Sequence, residues 1–246
     1  MMRKKVLITG ASAGIGKACA QIFAENSYEV FALARRKDRL KELESQHSNI
    51  KGLSFDIRNF EDKDLKELDL SEIDILINNA GLALGLSSID QTSEEDWRHM
   101  IETNLMGLIR MTQKVLPHMI QKSRGDIVNV GSIAGYQTYS GGSIYSATKY
   151  AVRALTEAWR KDLLGTNIRV IGIHPGMVET EFSEVRFKGD KLAAKKVYEG
   201  MRPLTPRDIA ESILWAVERP NHVCIESIVI MPTDQAASGM VHRRSS

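Results

Sequence analysis

The amino-acid sequence predicts an α/β chain folded as one domain over residues 1–246, a doubly wound parallel sheet with helices on both faces. Three observations carry that expectation. Short runs rich in β-forming residues alternate with longer helix-patterned segments from Lys5 to Met231, an order that calls for right-handed crossovers and a sheet covered on both sides. The first run, Lys5 to Thr9, passes directly into a glycine-rich turn and then a helical pattern. The 246 residues, 43% hydrophobic and 26% charged, suffice for one sizeable core, and no linker, repeat or low-complexity tract divides them.

Composition narrows the function. Formal net charge is +2 with scattered basic residues, so the chain lacks the concentrated cationic face of a nucleic-acid binder. The densest basic spot, His242-Arg243-Arg244, reads as a solvated tail. Two distant cysteines, Cys19 and Cys224, argue against a disulfide framework or a zinc site and read as small apolar packers in a reducing compartment. The start M-M-R-K-K-V-L-I-T-G has too short an apolar run for a signal peptide or a membrane span, which points to a cytoplasmic protein without a membrane partner.

Taken in order, strand Lys5 to Thr9 leads through Gly10-Ala-Ser12-Ala-Gly14-Ile15-Gly16 into a helix from Ile15 to Asn26. Strand, glycine turn and helix together aim free N–H groups and a helix dipole at a phosphate. The glycines divide the work of a tight turn, close approach to pyrophosphate and helix-on-strand packing. The next strand, Tyr28 to Ala34, ends in Arg35-Arg36 with no acidic residue beside them. In a dinucleotide fold that position holds the adenosine ribose, and arginine there suits a 2′-phosphate, hence NADP over NAD; the pair also begins a charged helix, Arg36 to Ser45. Strand Ile50 to Phe55 is followed by Asp56, placed either for a hydrogen bond to adenine or to cap a helix from Asn59 to Leu68.

Strand Asp74 to Ile77 breaks at Asn78-Asn79-Ala80-Gly81, at the same sheet edge as the glycine loop. A long helix is expected from Thr92 to Met119, started by Ser93 and the acidic Glu94, Glu95 and Asp96. Asn104 with Gly107 inside it marks either a local distortion that frees a carbonyl for water or a polar packing contact. Strand Asp126 to Gly131 carries Ser132 just beyond its end, and the loop Gly135 to Gly142 returns the chain to a helix from Ser143 to Leu164.

On that helix Tyr145 and Lys149 stand four residues apart, one turn up the same face. An ammonium beside a phenol favours the phenolate, bringing a group of ordinary pKa about 10 toward acid–base work near neutrality. Ala147, Ala151, Ala154, Leu155, Ala158 and Trp159 give the helix a broad small and apolar surface, enough to pack against another subunit as well as the sheet. Strand Asn167 to Ile173 ends in His174-Pro175-Gly176-Met177-Val178-Glu179-Thr180, a cofactor-facing turn in which Thr180 is placed for a nicotinamide amide. Residues 181–204 read as an irregular substrate-covering loop. Helix Thr205 to Glu218 and strand Val223 to Met231 close the fold.

Assembled, T-G-A-S-A-G-I-G at Thr9 to Gly16, N-N-A-G at Asn78 to Gly81, N-L-M-G at Asn104 to Gly107, Ser132 and Y-S-A-T-K at Tyr145 to Lys149 resemble the short-chain dehydrogenase/reductase family over nearly the whole chain. The resemblance implies a Rossmann-type fold and an Asn104-Ser132-Tyr145-Lys149 tetrad. In it Tyr145 exchanges a proton with the substrate oxygen, Lys149 lowers its pKa and binds the nicotinamide ribose, Ser132 holds the substrate oxygen, and Asn104 keeps a relay water. No metal is required, and the family habit is a homodimer or homotetramer. H-P-G-M-V-E-T-E-F-S-E-V-R-F-K-G-D, L-T-P-R-D-I-A-E and M-P-T-D-Q-A are similar to the NADP-dependent 3-hydroxy acid dehydrogenases within that family. That similarity makes Arg186 the candidate for a substrate carboxylate, against the plainer role of a surface salt bridge. The competing readings are a reductase of uncharged ketones, sugars or quinones, and a nucleotide-binding regulator without turnover.

Overall fold

The computed structural model describes residues 3–244; Met1, Met2, Ser245 and Ser246, the outermost residues of the predicted domain, lie outside that range. Seven parallel strands form the sheet: β1 (Lys5–Thr9), β2 (Glu29–Ala34), β3 (Ile50–Ser54), β4 (Ile73–Asn78), β5 (Gly125–Val130), β6 (Ile168–Pro175) and β7 (Ser227–Ile230), in the order β3-β2-β1-β4-β5-β6-β7. The winding direction therefore reverses between β1 and β4, where a cleft opens at the carboxyl ends of the strands.

Successive residues of the inner strands are buried on opposite faces, so these strands read as continuous apolar runs rather than alternating ones. Val6, Ile8, Val30 and Ala32 pack with Phe23 of α1 (Gly14–Glu25), Leu40 and Leu43 of α2 (Lys37–Gln46), and Ile209 and Ile213 of the helix Pro206–Val217. On the other face Leu7, Phe31, Leu33 and Leu76 meet Met111, Val115 and Met119 of the helix Gly107–Gln121, with Trp159 of the helix Ser143–Asp162 partly buried against them. A side-chain chain crosses this second layer: Asn78 donates to Thr112 Oγ1 and Asn129 Oδ1, each at 2.9 Å, and Asn129 donates to Thr156 Oγ1 at 2.9 Å. It binds β4 and β5 to the helices Gly107–Gln121 and Ser143–Asp162.

Several elements depart from expectation. The segment from Asn59 to Leu68 holds only a 3₁₀ turn, Asp62–Leu65. Leu65 and Leu68 alone are buried there, too narrow a stripe to keep a helix against the sheet. The helix expected from Thr92 to Met119 is α3 (Glu94–Ile101), a π-helical turn (Glu102–Met106) and α4 (Gly107–Gln121). After α5 (Ser143–Asp162), the segment 181–204 contains α6 (Phe182–Arg186) and α7 (Lys191–Lys196) rather than irregular coil. Helix α8 (Pro206–Val217) starts with a Thr205–Asp208 capping box, which satisfies two N-terminal N–H groups. A hairpin of β8 (Gln235–Ala237) and β9 (Met240–Val241) follows the sheet.

Strand β7 starts at Ser227, not Val223, because the preceding loop serves Arg169. That buried side chain grips the Asp126 carboxylate with two hydrogen bonds of 2.5 and 2.8 Å. It also donates to the carbonyls of Val217, Arg219 and Val223. The tail is docked as well: Arg243 donates to Val197 O and Arg244 pairs with Asp234. Cys19 is buried in the core, its thiol pushed up to about 12 by burial, whereas Cys224 is exposed, with only its Sγ reaching back to Val170 O at 3.9 Å.

Arg169→Met strands the Asp126 carboxylate and three carbonyls, and should cost about 3–5 kcal/mol of folding stability. Denaturant unfolding at neutral pH checks it.

Candidate active site

The cleft at the β1/β4 reversal has a volume of about 620 Å³. Its floor begins with the glycine loop, where Gly10 and Gly14 have φ of +71° and +51°, conformations that glycine adopts without strain. A Cβ on Gly16 would come within 2.3 Å of the Gly10 carbonyl, so helix and turn close up only with hydrogen there. Asn79 holds the loop from the neighbouring strand: its Nδ2 donates to Thr9 O at 2.9 Å, and the amides of Asn79 and Ala80 both donate to Thr9 Oγ1 at 3.0 Å. Gly10, Ser12, Gly14, Ile15, Asn79, Ala80 and Gly81 all face the cleft, while Gly16 lies beneath it as packing.

At the end of β2, Arg35 and Arg36 line the cleft. Arg36 Nε donates to Ser12 Oγ at 3.2 Å and its Nη1 to Glu181 at 2.8 Å, while Arg39 reaches the other Glu181 oxygen at 2.9 Å. Burial opposes charge on Glu181, but these guanidiniums outweigh it and hold its carboxyl below the usual range. Asp56 also faces the cleft, its carboxylate gripped by Arg58 at 2.7–3.1 Å and 3.9 Å from Arg35. Burial is again outweighed by the Arg58 contacts, and Asp56 stays ionised. Its amide partner is Arg58 N–H, the short turn that replaces the expected helix cap.

On the far wall, Ser132 caps a 3₁₀ turn (Ile133–Gly135) through the Ala134 amide, with Pro175 O 3.5 Å from its hydroxyl. Tyr145 and Lys149 lie buried on α5. Lys149 donates to Val130 O at 2.9 Å, and its Nζ is 5.8 Å from the Tyr145 ring. Burial lowers the Lys149 amine to about 8. The expectation that lysine brings the tyrosine down is not met in the chain by itself: burial pushes Tyr145 up to about 12, with the Arg186 charge and the Ser132 hydroxyl the opposing influences. A phenol removed from water resists ionisation more strongly than Lys149 can offset, since burial brings that amine down to about 8, below the range in which the phenol ionises.

Asn104 does not line the cleft. Its side chain accepts from Leu82 N–H and donates to Leu82 O, both at 2.8 Å, and donates to Thr148 Oγ1 at 3.1 Å. Thr148 in turn donates to Tyr145 O. Both readings of Asn104 thus hold in part: the helix is distorted into a π turn, and the side chain is a packing contact joining the end of β4 to α5.

Pro175, Gly176, Val178 and Thr180 line the cleft after β6. Thr180 Oγ1 accepts from Phe182 N–H at 3.2 Å and its side chain sits over Gly14. Arg186 closes the cleft from α6. It donates to Tyr139 OH at 2.8 Å and stacks within 5.0–5.7 Å of the Phe182, Tyr145 and Tyr139 rings. Its Nε is buried without a partner, and among the described residues no acidic side chain pairs with it, which removes the surface salt bridge.

Arg39, Tyr139, Glu181 and Phe182 join the site without being singled out by residue type or spacing. Only Glu181 leaves a trace in the sequence, as an acid at the start of segment 181–204. The remaining contacts join segments separated by about forty residues or more, which periodicity does not report.

Among the described residues no cluster of three His, Cys, Asp or Glu could hold a metal ion. No helix among them is long and apolar enough to cross a membrane.

The model of the short chain dehydrogenase family matches residues 4–191. The NADP-dependent 3-hydroxy acid dehydrogenase YdfG of Salmonella typhi is 46% identical over 247 aligned positions, covering 97% of this chain and 99% of the relative. An NADP-dependent 3-hydroxy acid dehydrogenase of Schizosaccharomyces pombe is 43% identical, covering 99% and 98%. The solved closed form of a serine dehydrogenase complexed with NADP+ superposes with a TM-score of 0.93 at 44% identity, over 98% of this chain and 100% of that one.

Phenylalanine at position 145 keeps the packing against Phe182, 5.5 Å away between ring centres, and removes only the hydroxyl. Tyr145→Phe should therefore retain the fold and nucleotide binding and lose at least about 10²-fold in turnover, the scale of acid–base catalysis; stopped-flow turnover beside a nucleotide titration checks it. Retained turnover would point to a site elsewhere, and absent turnover in the parent chain to a regulator.

Proposed function

The chain belongs to the short-chain dehydrogenase family, and from that premise we propose an NADP-dependent oxidoreductase that transfers a hydride between nicotinamide and a small 3-hydroxy acid. Serine, allo-threonine and 3-hydroxyisobutyrate define the substrate type. The observation that carries the substrate class is Arg186, a guanidinium with a buried, unpartnered Nε beside Tyr145.

The cleft fits NADP. The glycine cradle, which a Cβ at Gly10 or Gly16 would fill, suits the pyrophosphate at the α1 N-terminus. Arg35 and Arg36 with Ser12 suit the 2′-phosphate, and Arg39 joins them; Asp56 is near the adenine end. Asn79, Ala80, Gly81, Pro175, Gly176, Val178 and Thr180 border the nicotinamide end, and Lys149 its ribose. When bound, NADP+ would supply the hydride acceptor and a positive ring charge.

The substrate's carboxylate takes the Arg186 fork, and its hydroxyl lies between Ser132 and Tyr145. In oxidation Tyr145 takes the hydroxyl proton; in reduction it returns one to the carbonyl oxygen. Ser132 donates to that oxygen. Lys149 holds its ammonium against Val130 O, aligned to help ionise Tyr145 once the cofactor charge is present. Asn104 supports a proton relay through the main chain of its π turn. The segment 181–204 acts as the substrate cover within a single catalytic domain.

The exposed Ala147, Ala154 and Ala158 on α5 favour contact with a second copy, as a homodimer or homotetramer. Two unpaired cysteines suit the cytoplasm.

The test is NADP+ reduction over L-serine, D-serine, L-allo-threonine, 3-hydroxyisobutyrate and an uncharged secondary alcohol. Turnover on the acids, with the Michaelis constant raised at least tenfold in Arg186→Leu and NADPH binding intact, is expected. Activity confined to the alcohol would replace the substrate class with uncharged ketones, sugars or quinones.

Arg36→Ala should weaken NADPH more than NADH and narrow the ratio of their Michaelis constants by about tenfold or more, as loss of a charge-assisted hydrogen bond predicts.

A further inference from the structure

We infer that Arg186 also tunes the acid–base group: its guanidinium governs the proton affinity of Tyr145, and a substrate carboxylate landing on it strengthens Tyr145 as a base when the hydroxyl arrives. The inference rests on the reading of Tyr145 as the acid–base group and deepens the role given to Arg186.

Two cations face the Tyr145 ring. Lys149 comes from the same helix, its Nζ 5.8 Å from the ring centre, and spends a hydrogen bond on Val130 O at 2.9 Å. Arg186 comes from α6, its Cζ 5.2 Å from the same centre. The other groups against Tyr145 carry no charge at neutral pH. They are the Ser132 hydroxyl and Tyr139 phenol from the loop after β5, together with the apolar Leu82, Ala83, Met100 and Phe182.

Arg186 is held for this. Its main-chain carbonyl accepts from Gly85 N–H at 2.8 Å, and its Nη2 donates to Tyr139 OH at 2.8 Å. Three aromatic rings flank it, and no carboxylate among the described residues neutralises it. Its charge is therefore spent on the ring faces and on the cleft.

The two cations also differ in permanence. Burial brings Lys149 down to about 8, so its charge fades in the mildly alkaline range that favours alcohol oxidation. A guanidinium stays charged throughout. In agreement, the Arg186 charge is the largest influence opposing the burial of Tyr145.

A substrate carboxylate on Arg186 cancels that charge. The phenolate then binds a proton more tightly, and the substrate's hydroxyl proton is the one placed against it, between Ser132 and Tyr145. The O–H proton passes to the Tyr145 oxygen, the C–H electron pair leaves with the hydride to the nicotinamide of NADP+, and the C=O bond forms. The products are a 3-oxo acid, NADPH and a neutral Tyr145. An alcohol without the carboxylate occupies the same position but triggers no such rise.

The test uses the methyl ester of 3-hydroxyisobutyrate, which masks the carboxylate and so separates tuning from ligand binding. With NADP+ saturating, the acidic limb of kcat/KM against pH reports the substrate-free binary complex. Arg186→Leu should move that limb up by about one unit or more, the scale for losing an opposite charge at this distance, while Arg186→Lys moves it much less. Superimposed wild-type and Arg186→Leu profiles would overturn the inference.

If the ester turns over too slowly to read, the tyrosine Cζ resonance assigned by its loss in Tyr145→Phe is titrated by NMR in the NADP+ complex. The same upward shift in Arg186→Leu is expected, and an unmoved resonance overturns the inference. A raised Michaelis constant for the hydroxy acid with an unmoved limb would keep Arg186 as carboxylate ligand and remove its tuning role. A moved limb with an unchanged constant would do the reverse.

Discussion

The burial of one ammonium organises this molecule. Lys149 is 5% exposed, and a cation so far from water persists only where the fold gives it an acceptor. Val130 O is that acceptor, an end-of-strand carbonyl left over because β5 stops there. Holding Lys149 against β5 fixes the rotation of α5, and that rotation puts Tyr145 on the cleft and Val152 and Thr156 on the sheet. The amide chain from Asn78 through Asn129 to Thr156 then reads the same rotation from below. A helix turned by one residue would strand the ammonium and break the chain together.

Charge along the cleft follows a simple plan. Arginines gather at the β2 end, and Arg186 and Arg243 line the far end, with the neutral cradle of glycines and Asn79 between them. Glu181 moderates the first cluster, so that Arg36 and Arg39 are held in place rather than left to repel each other. Because Glu181 directly precedes α6, the arm that holds the arginines also positions the helix bearing Arg186. The two ends of a long ligand site are thereby joined through one short segment of chain.

The strands, the glycine turn and the helices around them are legible because each is written locally: apolar runs of strand length, a helix-period stripe, a glycine where no side chain fits. Asn59 to Leu68 misleads because its charges and leucines permit a helix, but the stripe is too narrow for the sheet to hold one. Asn104 is legible as an irregularity, though its hydrogen bonds to Leu82 and Thr148 are not. Segment 181–204 reads as coil since its polar composition hides two short helices, α6 along the cleft and α7 started by the Asp190 side chain as its cap.

Sequence alone determined the alternation of strands and helices, the glycine turn, the four-residue spacing of Tyr145 and Lys149, and the arginines that end β2, because spacing and residue type encode them within a few neighbours. Only the tertiary structure decided what charges those groups bear and whom they face. Tyr145 proves harder to ionise than its neighbour Lys149 suggested, since burial counts against a phenolate from every side. Arg186 faces it from 41 residues along the chain, across a contact that no local pattern records. Proton affinity depends on everything within a few ångströms, and that neighbourhood exists only once the chain has folded.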